Sequence, residues 1–167
     1  MKAIATSSLF AALFFIAPPV SAQEEDGPTG GEFIMNAWSS AEDCNRSNAS
    51  AVSLSAVAAD PDALIGQCVT FAGYWYGRAL FRNENDARSD GALVKRSLRR
   101  KRVGLYANWD LIGDPPSEPR WQRFVGKVGR CETQWPEAMM VMGFCHYAEG
   151  AILLVSEAMA DAKVNGS

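Results

Sequence analysis

The sequence is poor in the groups that chemistry draws on. It has one histidine, His146, in 167 residues. It has no C-x-x-C pair, so neither thiol exchange nor a zinc site built from tight ligand pairs has its pattern. Past the first 22 residues no run approaches the ~20 apolar residues of a bilayer-crossing helix. Heptads and internal repeats are missing, which sets aside coiled coils and solenoids. No catalytic motif is present. The net charge is -3, and a chain acidic overall lacks the basic excess of a dedicated nucleic-acid binder.

What is present begins with an export pattern. Met1-Lys2 supplies a charge, Leu9 to Ile16 an apolar stretch, and Val20-Ser21-Ala22 a small-residue cleavage site. Residues 1–22 are expected to be a signal peptide and the mature protein to be periplasmic or extracellular. No cysteine follows the cleavage point, so a lipid anchor is not expected. Residues 23–32, polar and Gly-rich, read as a flexible mature N-terminus. Residues 33–167 are then one domain's worth of chain, with a helical segment over 33–66, a barrel over 67–156 and a tail over 157–167.

The helical segment rests on an Ala-, Val- and Leu-rich stretch, Ala49 to Ala59, stopped by Asp60-Pro61-Asp62. From Gln67 the period changes. Val69, Phe71, Gly73 and Trp75 alternate with Cys68, Thr70, Ala72, Tyr74 and Tyr76, and period two in β-branched and aromatic residues predicts a strand. Further strands are expected at Ala79–Phe81, Val103–Ala107, Trp121–Arg130, Met139–Tyr147 and Ala151–Val155. Asn83 to Asp90 reads as a polar loop, and Asp114 to Pro119 as a rigid loop without ladder donors. Glycines inside strands mark bends of the kind found at barrel corners. The expected fold is mainly β: a small antiparallel barrel of five or six strands behind an N-terminal helical segment.

The run Leu64-Ile65-Gly66-Gln67-Cys68-Val69-Thr70-Phe71-Ala72-Gly73-Tyr74 resembles the first strand of an OB-fold. Phe124 to Gly129 and Val141 to Tyr147 resemble its fourth and fifth strands. The resemblance covers about residues 64–156 and is architectural. It implies a ligand face on barrel strands two and three and on the loops after strands one and four. That points to Arg78, Phe81 and Tyr106, and to Trp135 in the loop Thr133-Gln134-Trp135-Pro136; Tyr74 and Tyr76, part of the aromatic set on the first strands, join them as rings that could stack on a ligand. Trp75 and Phe71 are expected in the core.

The cysteines are Cys44, Cys68, Cys131 and Cys145. In an exported chain they are disulfide candidates, with three possible pairings. A hairpin centred near Ala138 would set Cys131 opposite Cys145, close enough to bridge. Cys44 and Cys68 would then clip the helical segment to the first strand. No metal site and no cofactor are expected.

The segment Lys95 to Arg102 holds six cations. Arg99 and Arg100 could meet an anionic partner, or the run could be a solvated loop balanced by Glu84, Asp86 and Asp90. The leading expectation is an exported, non-enzymatic binding or accessory domain for a polar or anionic ligand or envelope protein. The alternatives are an inhibitor of a secreted enzyme acting through Glu132 to Glu137, and a hydrolase using His146 with Glu149.

Overall fold

The computed structural model describes residues 33–34, 38–134 and 140–159. The expected signal peptide, the polar segment 23–32, Trp135 and Pro136 lie outside the described residues. The strands are β1 (Phe33–Ile34), β2 (Ser50–Ala51), β3 (Cys68–Tyr76), β4 (Ala79–Phe81), β5 (Arg102–Tyr106), β6 (Arg120–Arg130), β7 (Met140–Val141) and β8 (Ala151–Met159). The one-turn or two-turn helices are α1 (Leu54–Ala59), α2 (Glu84–Ala87), α3 (Trp109–Ile112), α4 (Cys131–Gln134) and α5 (Phe144–Tyr147).

Five strands close a barrel in the order β3-β4-β5-β8-β6, and β6 returns to pair with β3. Its architecture is compatible with an OB-like barrel. The fold is mainly β, as the alternation predicts, but the sheet is mixed. β5 and β8 run parallel, and β2 adds to β3 as an extra parallel strand. As parallel neighbours, β5 and β8 are joined by a crossover, here the long connection through α3, β6, α4 and α5.

β3 alternates as expected, burying Val69, Phe71 and Trp75 toward the barrel axis. With Leu80, Leu105, Phe124 and Leu153 they fill the interior. α1 adds Leu54, Val57 and Ala58 to that core. Ser53 starts α1 by accepting the Ala56 N–H at 3.1 Å. Each large side chain so buried contributes roughly 1.5–3 kcal/mol. Their sum outweighs the roughly 2–4 kcal/mol of one disulfide, so the barrel rests on its core.

By period two, the neighbours of those inward groups face outward. Ala79, Phe81, Tyr106 and Ile152 form a second core on the outer wall. It is covered by Ala87, Ala92 and Leu98 from the segment after β4, and by Phe144 of α5. The outer face of barrel strands two and three, β4 and β5, is therefore roofed by the protein itself.

Several local expectations change. The helical segment 33–66 shrinks to α1 and a 3-10 turn at Asp62–Leu64. Asn83 caps α2 by accepting the Asp86 N–H at 2.8 Å, turning the expected polar loop into a helical turn. Arg96–Lys101 is 3-10 helix. Val141 to Tyr147 is not the fifth barrel strand; β8 is. Gly143 takes φ 97° and the chain folds into α5.

Both disulfides form as expected, Cys44–Cys68 and Cys131–Cys145, each with 5.4 Å between α-carbons. The hairpin reasoning behind the second is corrected. Cys131 opens α4 and Cys145 sits in α5, so two short helices, not paired strands, bring the sulfurs together.

Candidate functional site

A concavity of about 610 Å³ lies between the loop after the first barrel strand and the loop after the fourth. Gly77 and Arg78 form the first of these. Gly77 turns the chain with φ 53°, a conformation that favours glycine. Its N–H donates to the Pro116 carbonyl at 3.1 Å, so the proline-rich segment Asp114 to Pro119 stands as a fixed wall beside the turn. Trp109 of α3 lies half-buried behind it. The Trp109 ring stacks on Trp75 of the core, 6.3 Å between centroids at 20°. The Arg78 guanidinium sits 5.6 Å from the Trp109 ring centre, within cation–π range.

The opposite wall is Met142, Gly143, Phe144 and Tyr147. Three constraints hold it. The Cys131–Cys145 bridge ties α5 back to the end of β6. The Cys145 N–H donates to the Tyr106 hydroxyl at 2.9 Å. Phe144 packs directly on Gly104 of β5, where any Cβ would overlap its ring. Leu93 and Val94 close the third side.

The lining is apolar and open to solvent. Val94 is 52% exposed, Met142 39% and Tyr147 69%. Large apolar groups gathered at the rim of a concave site mark a binding surface far better than the same groups scattered singly. One charge faces the cavity: Arg78 is exposed and has no carboxylate partner among the described residues. Burial pushes the Tyr106 phenol above its ordinary range, offset in part by the Cys145 N–H and the Arg78 charge. Tyr106 therefore stays neutral at physiological pH.

The residues expected at a ligand face separate. Arg78 lines the groove, and Tyr106 lies beneath it, near Gly143. Phe81 is fully buried in the second core and offers a ligand no surface. Tyr76 packs against that same core, and Tyr74 meets Trp121 edge-on at 5.2 Å. Arg99 pairs with Glu132 and Glu149. Arg100, together with Arg99, lines a separate polar cavity with Arg130 and Asp62. Trp135 is outside the described residues. Leu93, Val94, Pro115, Met142, Phe144 and Tyr147 complete the groove without having been singled out as a site. Met142, Phe144 and Tyr147 lie in one of the implied loops, the one after β6, whereas Leu93 and Val94 follow β4 and Pro115 follows β5.

The two side chains named for a hydrolase lie outside the groove lining. His146 is exposed, with its ring edge-on to Tyr147 at 4.4 Å. Cys145 is in a disulfide and Glu149 pairs with Arg99 at 3.0 Å. Among the described residues no group of three His, Cys, Asp or Glu could hold a metal ion. No helix there is long and apolar enough to cross a membrane.

No protein-family model matches the chain, and neither a curated protein nor a solved structure does.

Proposed function

We propose that this protein is an exported, non-enzymatic binding domain whose groove takes an amphiphile: an apolar body carrying an acidic group. The observation that carries this reading is the pairing of an apolar, solvent-open cavity with a guanidinium in its lining, Arg78, that has no carboxylate partner among the described residues. The apolar walls would bury a hydrocarbon chain at about 25 cal/mol per Å² of surface removed from water. Arg78 would receive the acidic end, a charge-assisted contact strengthened by the apolar surroundings.

The scaffold supports that role. Both groove walls are loops fixed to a rigid barrel, one by a glycine turn and a proline segment, the other by a disulfide. Such an arrangement reduces the ordering cost of binding. The two disulfides accord with an oxidising compartment, and the N-terminal export pattern gives the route to it.

Decanoate is a suitable probe, followed by tryptophan fluorescence because Trp109 lines the groove. Saturable 1:1 binding that is lost on placing a carboxylate in the wall, Val94→Asp, is expected. A folded protein that shows no saturable response to decanoate or to the neutral decanol sinks the groove reading. Cell fractionation tests export: the mature chain should start at Gln23 and reside outside the cytosol.

A further inference from the structure

Beside the groove lies a second, smaller pocket of about 280 Å³. The two share Val94 and Tyr147 as a dividing wall. The small pocket is lined with charge: Arg96, Arg99 and Arg102 against a single carboxylate, Glu149. Its walls therefore carry a net +2.

Arg102 is the unusual member. It is 2% exposed. Nη1 donates to the carbonyls of Ala92 and Lys95, at 3.2 and 2.6 Å. The Phe144 ring lies 5.6 Å from its Cζ. Nε is buried and has no hydrogen-bond partner, and no carboxylate pairs with the guanidinium among the described residues. Buried charges in folded proteins are ordinarily paired, because desolvation of a lone ion is costly. Burial, and after it the Arg99 charge, lower the Arg102 pKa, yet a guanidinium remains protonated across the physiological range. Arg102 is thus a buried cation with no counter-ion among the described residues.

The neighbours do not neutralise it. Arg99 spends its charge on Glu132 and Glu149. Arg96 is exposed on the 3-10 helix with no ion pair among the described residues. Lys101, nearby in sequence, faces away to Asp86 at 3.8 Å. Across Lys95 to Arg102, six cations meet three carboxylates, Asp86, Glu132 and Glu149.

We propose that this pocket is an oxyanion site that takes a phosphate group, free or as a monoester, as the missing counter-ion of Arg102. Two net positive charges match a dianion better than a carboxylate. A phosphate presents several acceptor oxygens that guanidinium forks engage in parallel. The volume suits a headgroup, not a chain. The inference stands apart from the groove: it requires only the arginines of the small pocket, and Arg96→Ala and Glu149→Gln, which lie outside the groove lining, separate phosphate held here from phosphate held by Arg78.

The test is calorimetric titration of the oxidised full chain with inorganic phosphate, sulfate and acetate at low salt. One-to-one phosphate binding is expected, stronger than acetate and weakening as salt rises. Arg96→Ala should weaken it about tenfold, while decanoate binding in the groove stays unchanged. Glu149→Gln removes the competing carboxylate and should tighten phosphate about threefold. Arg102→Met should abolish binding; should that variant not fold, Arg96→Ala and Glu149→Gln decide the matter. Undetectable phosphate binding, equal affinity for phosphate and acetate, or affinity unmoved by both Arg96→Ala and Glu149→Gln overturns the proposal. Sulfate matching phosphate supports the site and broadens its ligand to tetrahedral dianions. Loss of decanoate binding with phosphate binding intact would instead sink the groove reading alone.

Discussion

Phe144 lies against Gly104 so closely that a single added methyl on the glycine would occupy the space of the ring. The contact joins the barrel wall to the helix that carries one side of the groove. The same ring also lies 5.6 Å from Cζ of Arg102, so fold, groove and arginine pocket share one aromatic side chain. Gly104→Ala should cost about 1–3 kcal/mol, the usual range for overpacking a filled site. Phe144→Ala should cost about 3–5 kcal/mol. The double variant should cost less than the sum, because truncating the ring makes room for the methyl. Chemical denaturation of the four proteins checks this. Strict additivity would mean that the two positions are not in contact.

The two disulfides should prove unequal in what they protect. Cys131–Cys145 closes a separation of 14 residues and holds α5, while the barrel core stands without it. Replacing both cysteines with alanine should cost about 3 kcal/mol through the unfolded chain. It should also weaken decanoate binding, with strand content by circular dichroism retained. Replacing Cys44 and Cys68 frees the segment before α1 from β3 and should lower stability with little effect on the groove. Equal loss of ligand binding in both variants would contradict this division.

The strands were legible wherever one face meets the core. Cys68 to Tyr76 and Trp121 to Arg130 carry period two because the barrel interior demands it. Val141 to Tyr147 carries a similar alternation and folds otherwise. What decides it is the seat for Phe144 on Gly104, a contact 40 positions away that no local pattern displays. Cys131 and Cys145 pair as their spacing predicts although both sit in short helices, because two facing helical turns satisfy the same distance as opposed strand positions. Arg78 could be read from its place in the loop after the first strand. Val94, Trp109 and Tyr147 meet only through the closed barrel, and the basic run hid one residue, Arg102, whose surroundings make it unlike its neighbours.

Arg78 should set the preference for acid over alcohol. Its guanidinium is the charge over Trp109 and has no carboxylate partner among the described residues. Arg78→Met keeps the apolar stem and removes only the charge. Decanoate affinity should fall about tenfold or more, in line with the roughly 1.5–3 kcal/mol of a charge-assisted hydrogen bond. Decanol affinity should hold or rise. Parallel fluorescence titrations of the two probes give the ratio directly. A ratio unchanged by the substitution would place the acid-recognising group elsewhere.

Acid should loosen the joint between α4 and the arginine segment first. Burial on its own would raise the Glu132 carboxyl, but its own backbone N–H, Arg130 and the Gly150 N–H together outweigh that and hold it below the ordinary value of 4.5. Its oxygens also pair with Arg99 and with Arg130 at 3.0 Å. A carboxyl lowered in the folded state binds its proton less readily there than in the unfolded chain. Its stabilisation is therefore complete above the unfolded value and drains away as pH falls through the folded one. The melting temperature should be flat near neutrality and decline between about pH 5 and pH 3. Glu132→Gln should start lower at neutral pH and show a shallower decline, because the neutral amide has no proton to take up. These pairs are partly solvated, so the difference between the two curves should be small, on the order of 1 kcal/mol or less. A variant whose acid limb is as steep as that of the parent would assign the pH dependence to other carboxylates, with the Asp62–Arg130 pair next in line.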